Sequence, residues 1–216
     1  MVAITRRAWL ATLGLAPLVG GLAAEADDTK SKQYTFQDIP PRELMRRRHF
    51  PNIELVTHKG KKVRFYDDLI KNKKVVLNFM YVKCEGICSP VTANLVKVQK
   101  IMRDRVGRDI FMYSITLKPE EDTPEALRKY AAGFHVGPGW LFLTGKPSDI
   151  ELLRRSLGYR YADPVEDADK SNHIGMLRFG NEPFVRWAAC PGLAHADWIA
   201  TSILLEADGP LQGRAR

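Results

Sequence analysis

The sequence predicts an α/β domain with a mixed sheet flanked by helices, and three observations predict it. Short runs rich in β-branched and aromatic residues alternate with capped amphipathic runs through the middle of the chain. The last two strand-like runs follow one another directly, so the order reads β-α-β-α-β-α-β-β-α. Finally, 216 residues with 45% apolar content suit one domain plus appendages, able to bury a normal core without disulfide staples.

Each element has its own local reason. Ile53 to Phe65 reads as a short hairpin with His58-Lys59-Gly60-Lys61 as its turn. Val75 to Val82 reads as a buried strand from its length and its β-branched, aromatic content. A helix follows, with Ser89 expected at its N-cap and Pro90 at its first position. Val91, Leu95, Val98 and Met102 recur at helical spacing and give that helix one apolar face. Ile110 to Thr116 is a second strand, and Thr123-Pro124-Glu125 opens a capped helix running to about Phe134. The Glu120-Glu121 pair just upstream is expected to complement the dipole of that helix. Trp140 to Leu143 is a strand, and Ser148 to Leu157 a helix stopped by Gly158. Tyr159 to Asn172 is a long acidic loop. His173 to Phe179 and Phe184 to Ala188 are expected to form a hairpin around Gly180-Asn181, and a last helix covers about His195 to Glu206. Internal repeats and low-complexity tracts are absent from the sequence.

The N-terminal Met1 to Ala26 does not read as core. Arg6-Arg7 precedes a weakly apolar run, Ala8 to Ala24, that is shorter than the roughly 20 residues of a spanning helix. Ala24-Glu25-Ala26 fits a small-x-small cleavage site, and Thr5 to Leu10 has the context of a twin-arginine export signal. The expectation is a signal peptide or an anchor at 1–26, a polar linker at 27–48, the functional domain at 49–208 and a flexible tail at 209–216. Either N-terminal device carries the domain out of a bacterial cytoplasm, to the periplasm. The net charge is +8, and losing Met1 to Ala26 removes two arginines and one glutamate, leaving +7. That basic balance suits anionic lipid or an acidic protein face, while an exported chain is a poor candidate for nucleic acid. Arg46-Arg47-Arg48 reads as solvated linker ahead of a docking patch. The sequence carries neither a phosphate-cradling glycine loop nor a Ser-His-Asp arrangement.

Chemistry concentrates at Cys84 and Cys88, which fall between the first buried strand and the helix after it. Amides without partners and the helix dipole make such a spot electropositive and favour thiolates. With three residues between them, the sulfurs can face each other across one turn, to close a disulfide or to clamp one soft metal ion. A purely structural disulfide is disfavoured, because so short a loop returns little closure entropy. Two thiolates and one imidazole would suit Cu(I), and could also hold Cu(II) or Zn(II). Of His49, His58, His135, His173 and His195, His173 is the best placed, since it opens the strand expected beside the first one. Cys190, after Trp187-Ala188-Ala189, reads as a core residue, and Met176 as strand packing or surface.

The segments PNIELVTHKGKKVRFYDDL, VVLNFMYVKCEGIC, LKPEEDTPEALRKYAAGF and WLFLTG, with a histidine at the entrance of a late strand, resemble the Sco/SenC family of thioredoxin-like copper proteins. The likeness runs from about Phe50 to Glu206, and Cys-x-x-x-Cys with downstream Asp122-Thr123-Pro124 is its most specific part. It implies a thioredoxin-like fold with a peroxiredoxin-type insertion. It also implies one copper ion held by Cys84, Cys88 and His173, with the two cysteines cycling between dithiol and disulfide. The implied role is a metallochaperone or thiol reductant that helps assemble a copper site, with the copper subunit of cytochrome c oxidase or another copper enzyme as partner. This chain departs from the family pattern in three places. Glu85 stands where proline is usual, and Lys118-Pro119 where Asp-Pro is usual, removing an acidic side chain near the site. The stretch HIGMLRFGNEPFVRWAACPGLAH replaces the usual continuation after the histidine.

Two other functions use the same residues. An extracytoplasmic thiol–disulfide oxidoreductase or peroxidase would use Cys84 and Cys88 as its redox pair. Its thioredoxin-like members usually space the cysteines by two and place a cis-proline before the facing strand, whereas this chain reads Ser171-Asn172-His173 there. A redox or copper sensor would differ only in its partner.

Overall fold

The computed structural model describes residues 39–169 and 175–209. Among them, one mixed sheet is built from β1 (Glu54–Thr57), β2 (Lys62–Arg64), β3 (Lys74–Met80), β4 (Ile110–Thr116), β5 (Trp140–Gly145), β6 (Met176–Asn181) and β7 (Arg186–Pro191). Their spatial order is β2-β1-β5-β4-β3-β6-β7. The central β3, β4 and β5 run parallel, while β6 pairs antiparallel with β3 and the β1–β2 hairpin antiparallel with β5. The described helices are α1 (Pro41–His49), α2 (Cys88–Met102), α3 (Pro124–Gly133), α4 (Pro147–Ser156), α5 (Pro164–Ala168) and α6 (Ala196–Asp208). None of them is long and apolar enough to cross a membrane.

β3 is apolar on both faces because both are covered, which is why it reads as a continuous run rather than an alternation. Val75, Val76, Leu77, Phe79 and Met80 are each at most 3% exposed. Its buried polar residue, Asn78, accepts from Ser114 Oγ at 2.7 Å, and Ser114 accepts from Trp140 Nε1 at 2.9 Å. That hydrogen-bonded track ties the three parallel strands together through the core. α2 buries Val91, Leu95, Val98 and Met102, the face its periodicity foretold, and packs against α6. Thr123 caps α3, its Oγ1 accepting from Ala126 N–H at 3.2 Å.

Four local expectations differ from the structure. The stretch read as linker contains α1, which buries no residue and so shows no apolar periodicity. Pro41 at its start and a basic last turn suit a helix. Arg46 and Arg47 both pair with Glu43 at 2.7 Å, Arg47 while still exposed to solvent. Arg42 anchors α1 to the sheet by two bonds to Glu182, which also accepts from the Tyr66 hydroxyl at 2.8 Å and Asn72 N–H at 2.7 Å. The turn of the β6–β7 hairpin is the second difference. Gly180 and Asn181 are ladder residues opposite Trp187 and Arg186, and the chain reverses through Glu182–Phe184 and Val185, whose φ is 56°. Gly180 is needed for packing, since a Cβ there would lie 2.7 Å from the Trp187 ring. The acidic loop, third, contains α5, capped by Asp163.

The fourth difference bears on the site. The Ile87 carbonyl already accepts from Val91 N–H at 3.0 Å, so α2 begins at Cys88 with Ile87 as its N-cap. Pro90 then falls at the third helical position, where its missing N–H would have had no intrahelical partner anyway.

At the far end of α6, Arg105 grips Asp208 by two 2.7 Å bonds, and Lys74 approaches it at 3.3 Å. These hydrogen bonds, Arg105 first, hold the Asp208 carboxyl down to about 2, against a lesser push from burial. A carboxyl depressed in the folded state contributes stability above its unfolded value of about 4, and loses it as pH falls toward 2. Asp208→Asn is therefore expected to flatten the fall in melting temperature between about pH 4 and pH 2, measured by thermal scans across that window. An unchanged acid slope would show that Asp208 makes no such contribution.

Candidate metal centre

β3 ends at Met80, and the chain turns through Tyr81, Val82 and Lys83 to Cys84. Cys88 then opens α2, so both thiols sit beyond the carboxyl end of a central parallel strand. Cys84 is half-buried and Cys88 only 2% exposed, and none of the three cysteines is in a disulfide. The two side chains are hydrogen-bonded to each other.

The two sulfurs have opposite electrostatics. Burial works against a thiolate at Cys84, but hydrogen bonds from the Cys88 thiol, the Cys88 and Gly86 amides and the Tyr81 hydroxyl together hold it below the ordinary thiol value. At Cys88, burial is the largest effect and pushes the thiol up. Its bond to Cys84 and the nearby Cys84 and Asp122 charges push the same way, against one bond from Tyr81 N–H at 3.4 Å. The outer sulfur is thus the readier thiolate of the two, and the inner one holds its proton more firmly.

The turn that carries Cys84 is fastened from β4. The Asp122 carboxylate, 2% exposed, accepts from Val82 N–H at 3.1 Å and from Thr116 Oγ1 at 2.5 Å. Burial pushes its carboxyl above the ordinary range. Asp122 is thus an acidic side chain behind the turn whose charge reaches Cys88. Lys118 instead places its Nζ 4.4 Å from the Tyr81 ring centroid. Glu121 pairs with Lys83 at 3.6 Å and Lys118 at 3.8 Å, so it serves this rim rather than the dipole of α3. The Tyr130 hydroxyl lies on the α3 side of the thiols and donates to Thr92 Oγ1 at 3.0 Å.

His173, the expected third ligand, lies outside the described residues, as does the N-terminal stretch expected to direct export. The chain is described again from Gly175, beside the cysteine turn. A Cβ at that glycine would lie 2.3 Å from Ile87 Cδ1, and its carbonyl accepts from Gly192 N–H at 2.8 Å. Other histidines are engaged elsewhere: His49 with the Ser156 carbonyl, His58 with Phe142 N–H, His195 with Asp197. Among the described residues no three His, Cys, Asp or Glu side chains gather as a cation cluster. Cys190 is 2% exposed on β7 opposite Leu177, its thiol pushed up to about 11 by burial. Met176 is half-buried at the start of β6. Reasoning from sequence missed Tyr81, which passes for a strand aromatic, and noted Lys118 only as a departure from the family pattern.

The SCO1/SenC family model matches residues 44–178. A SCO1 protein homolog of Bacillus subtilis (strain 168) is 34% identical over 84 residues, covering 38% of this chain and 43% of that relative. The matches span 43% to 58% of the first curated relatives' own lengths. Among solved structures, ScoI of Arabidopsis thaliana with copper bound superposes with a TM-score of 0.58 at 20% identity, covering 71% of this chain and 94% of that one. BsSco, described as a member of the Sco family of cytochrome c oxidase assembly proteins with a disulfide switch, gives 0.58 at 24% identity, covering 72% and 91%. These superpositions establish the thioredoxin-like fold seen in the mixed sheet.

Proposed function

Because the chain belongs to the SCO1/SenC family, we propose that it binds one copper ion through Cys84, Cys88 and His173 and helps assemble a copper site, that of cytochrome c oxidase. One observation carries the reading: two hydrogen-bonded thiols, one half-exposed and one buried, meet where β3 passes into α2. Such a soft donor pair suits Cu(I), and a neutral imidazole would complete a site able to take Cu(II). Gly175 beside Ile87 supports His173 as that imidazole, because it is only two residues further along the chain. The copper in Arabidopsis ScoI and the oxidase role stated for BsSco support the cargo and the client. The domain acts outside the cytoplasm, delivered there by the segment around Arg6-Arg7.

Anaerobic titration of the reduced protein with copper, with thiols counted before and after, tests the reading. We expect one equivalent bound and two thiols protected. His173→Ala is expected to weaken Cu(II) by about a hundredfold or more and Cu(I) by less than about tenfold, since two thiolates hold Cu(I) in linear geometry. Equal retention of both oxidation states would remove His173 from the ligand set. The contrast between the two thiols also favours a second reading, a thiol–disulfide oxidoreductase with Cys84 attacking and Cys88 resolving. Multiple turnover on a disulfide substrate, without copper uptake, would select it.

A further inference from the structure

Arg178 is a half-buried cation that pairs with no carboxylate among the described residues. It lies on β6 opposite Leu77 of β3, on the edge of a cleft away from the thiols. Its guanidinium is held from two sides. The Tyr159 ring centroid lies 5.5 Å from its Cζ, and a Cβ on Gly158 would lie 2.7 Å from its Nη2. The fork of donors is therefore fixed in place before any anion arrives, which lowers the entropy lost on binding one.

The cleft encloses about 140 Å³ between α1 and the sheet, and its walls are mostly apolar: Met45, Phe50, Leu77, Leu157 and Trp187. Phe50 and Trp187 form an aromatic side, their ring centroids 4.6 Å apart and tilted by 36°. His49, at the mouth, has its Nδ1 engaged by the Ser156 carbonyl at 2.9 Å. An apolar cavity of about 150 Å³ is large enough to take up benzene. The space beside Arg178 thus suits a single six-membered ring, and its one uncompensated charge calls for an anion. A guanidinium recognises a carboxylate through two parallel hydrogen bonds. Hydrated inorganic anions would meet apolar walls on every other side and lose their water without compensation.

We propose that this cleft binds a compact aromatic carboxylate, its ring against Phe50, Leu77 and Trp187 and its carboxylate on Arg178. The proposal requires neither copper nor the Cys84–Cys88 pair, so it stands or falls apart from the metal reading.

The test uses the full chain, labelled with ¹⁵N, and benzoate as the probe. Trp187 is the reporter, because its Nε1 is buried with no hydrogen-bond partner among the described residues and its ring lines the cleft. Its indole resonance is identified by comparison with Trp187→Phe. Benzoate is expected to shift that resonance saturably, with a dissociation constant at or below about 5 mM. Benzyl alcohol keeps the ring without the charge, and acetate the charge without the ring. Each is expected to bind at least about tenfold more weakly. Arg178→Gln is expected to weaken benzoate by about tenfold or more while leaving benzyl alcohol within about twofold. No saturable benzoate shift at Trp187 overturns the proposal. Equal affinity for benzoate and either control overturns it as well, as does undiminished benzoate binding in a folded Arg178→Gln. Should Arg178→Gln fail to fold, Met45→Trp decides, since it fills the cleft from α1 and should abolish the benzoate shift; retained binding overturns the proposal.

Discussion

Serine at position 88 is expected to take copper loading from about one equivalent to none in the presence of a competing thiol chelator. Cys88 is the inner sulfur of the pair, set at the first position of α2 and 2% exposed. A hydroxyl is a hard, neutral donor and a poor ligand for Cu(I). The same substitution removes disulfide formation between Cys84 and Cys88, so both activities ascribed to the pair should vanish together. Cys190→Ser provides the contrast. Cys190 lies buried opposite Leu177, so its replacement should cost about 1–3 kcal/mol through burial of a hydroxyl while leaving copper loading intact. Metal analysis after gel filtration, with unfolding curves for both variants, checks the pair. Full loading of Cys88→Ser would exclude a two-thiolate site, and loss of loading in a folded Cys190→Ser would bring the third thiol into it.

The largest stability effect is expected at Arg154, far from the thiols in sequence. Its guanidinium, 6% exposed, donates to Asp167 at 2.6 and 2.7 Å, to Glu151 at 2.8 and 2.9 Å and to the Tyr159 carbonyl at 2.5 Å. Asp167 is itself buried to 12% side-chain exposure and also accepts from Tyr161 N–H at 2.9 Å. Arg154→Met would leave that carboxylate with Arg155 Nη2 at 4.0 Å in place of its two short bonds, and breaking a buried pair by removing one partner typically costs about 3–5 kcal/mol. Denaturant unfolding should show the midpoint falling with the slope unchanged. A loss below about 1 kcal/mol would mean that water reaches Asp167 and screens it as at a surface pair.

The elements legible in the sequence were those whose own residues decide them. β3 announces itself by length and β-branching, α3 by Thr123-Pro124, and α2 by the spacing of Val91, Leu95, Val98 and Met102. α1 and the β6–β7 turn were not legible, because distant partners decide them. Arg42 and Glu182 are 140 residues apart, and it is their bond that seats the helix and shapes the reversal. Apolar periodicity carries no trace of an ion pair. At the site, Cys84 and Cys88 stood out as thiols at a strand-to-helix junction. Tyr81 did not, because a tyrosine after a strand is ordinary, and Lys118 stood out only as a missing acid until the fold stacks it on that ring.

The anchoring of the cysteine turn has a mechanical consequence. Cys88 rides on α2, whose buried face is locked against α6 and the sheet, whereas Cys84 rides on a short arm tethered to β4 through Asp122 and Thr116. The two sulfurs therefore behave like the jaws of a caliper, one fixed and one sliding. Closing them to a disulfide needs a gap of about 2 Å; gripping an ion between them needs roughly twice that. The arm between Val82 and Ile87 can take up that travel by itself, with Gly86 as a residue without a side chain to obstruct it. Changing state is then expected to leave the core unmoved, so that a partner docked on the surrounding rim would feel the change only at the opening of the jaws.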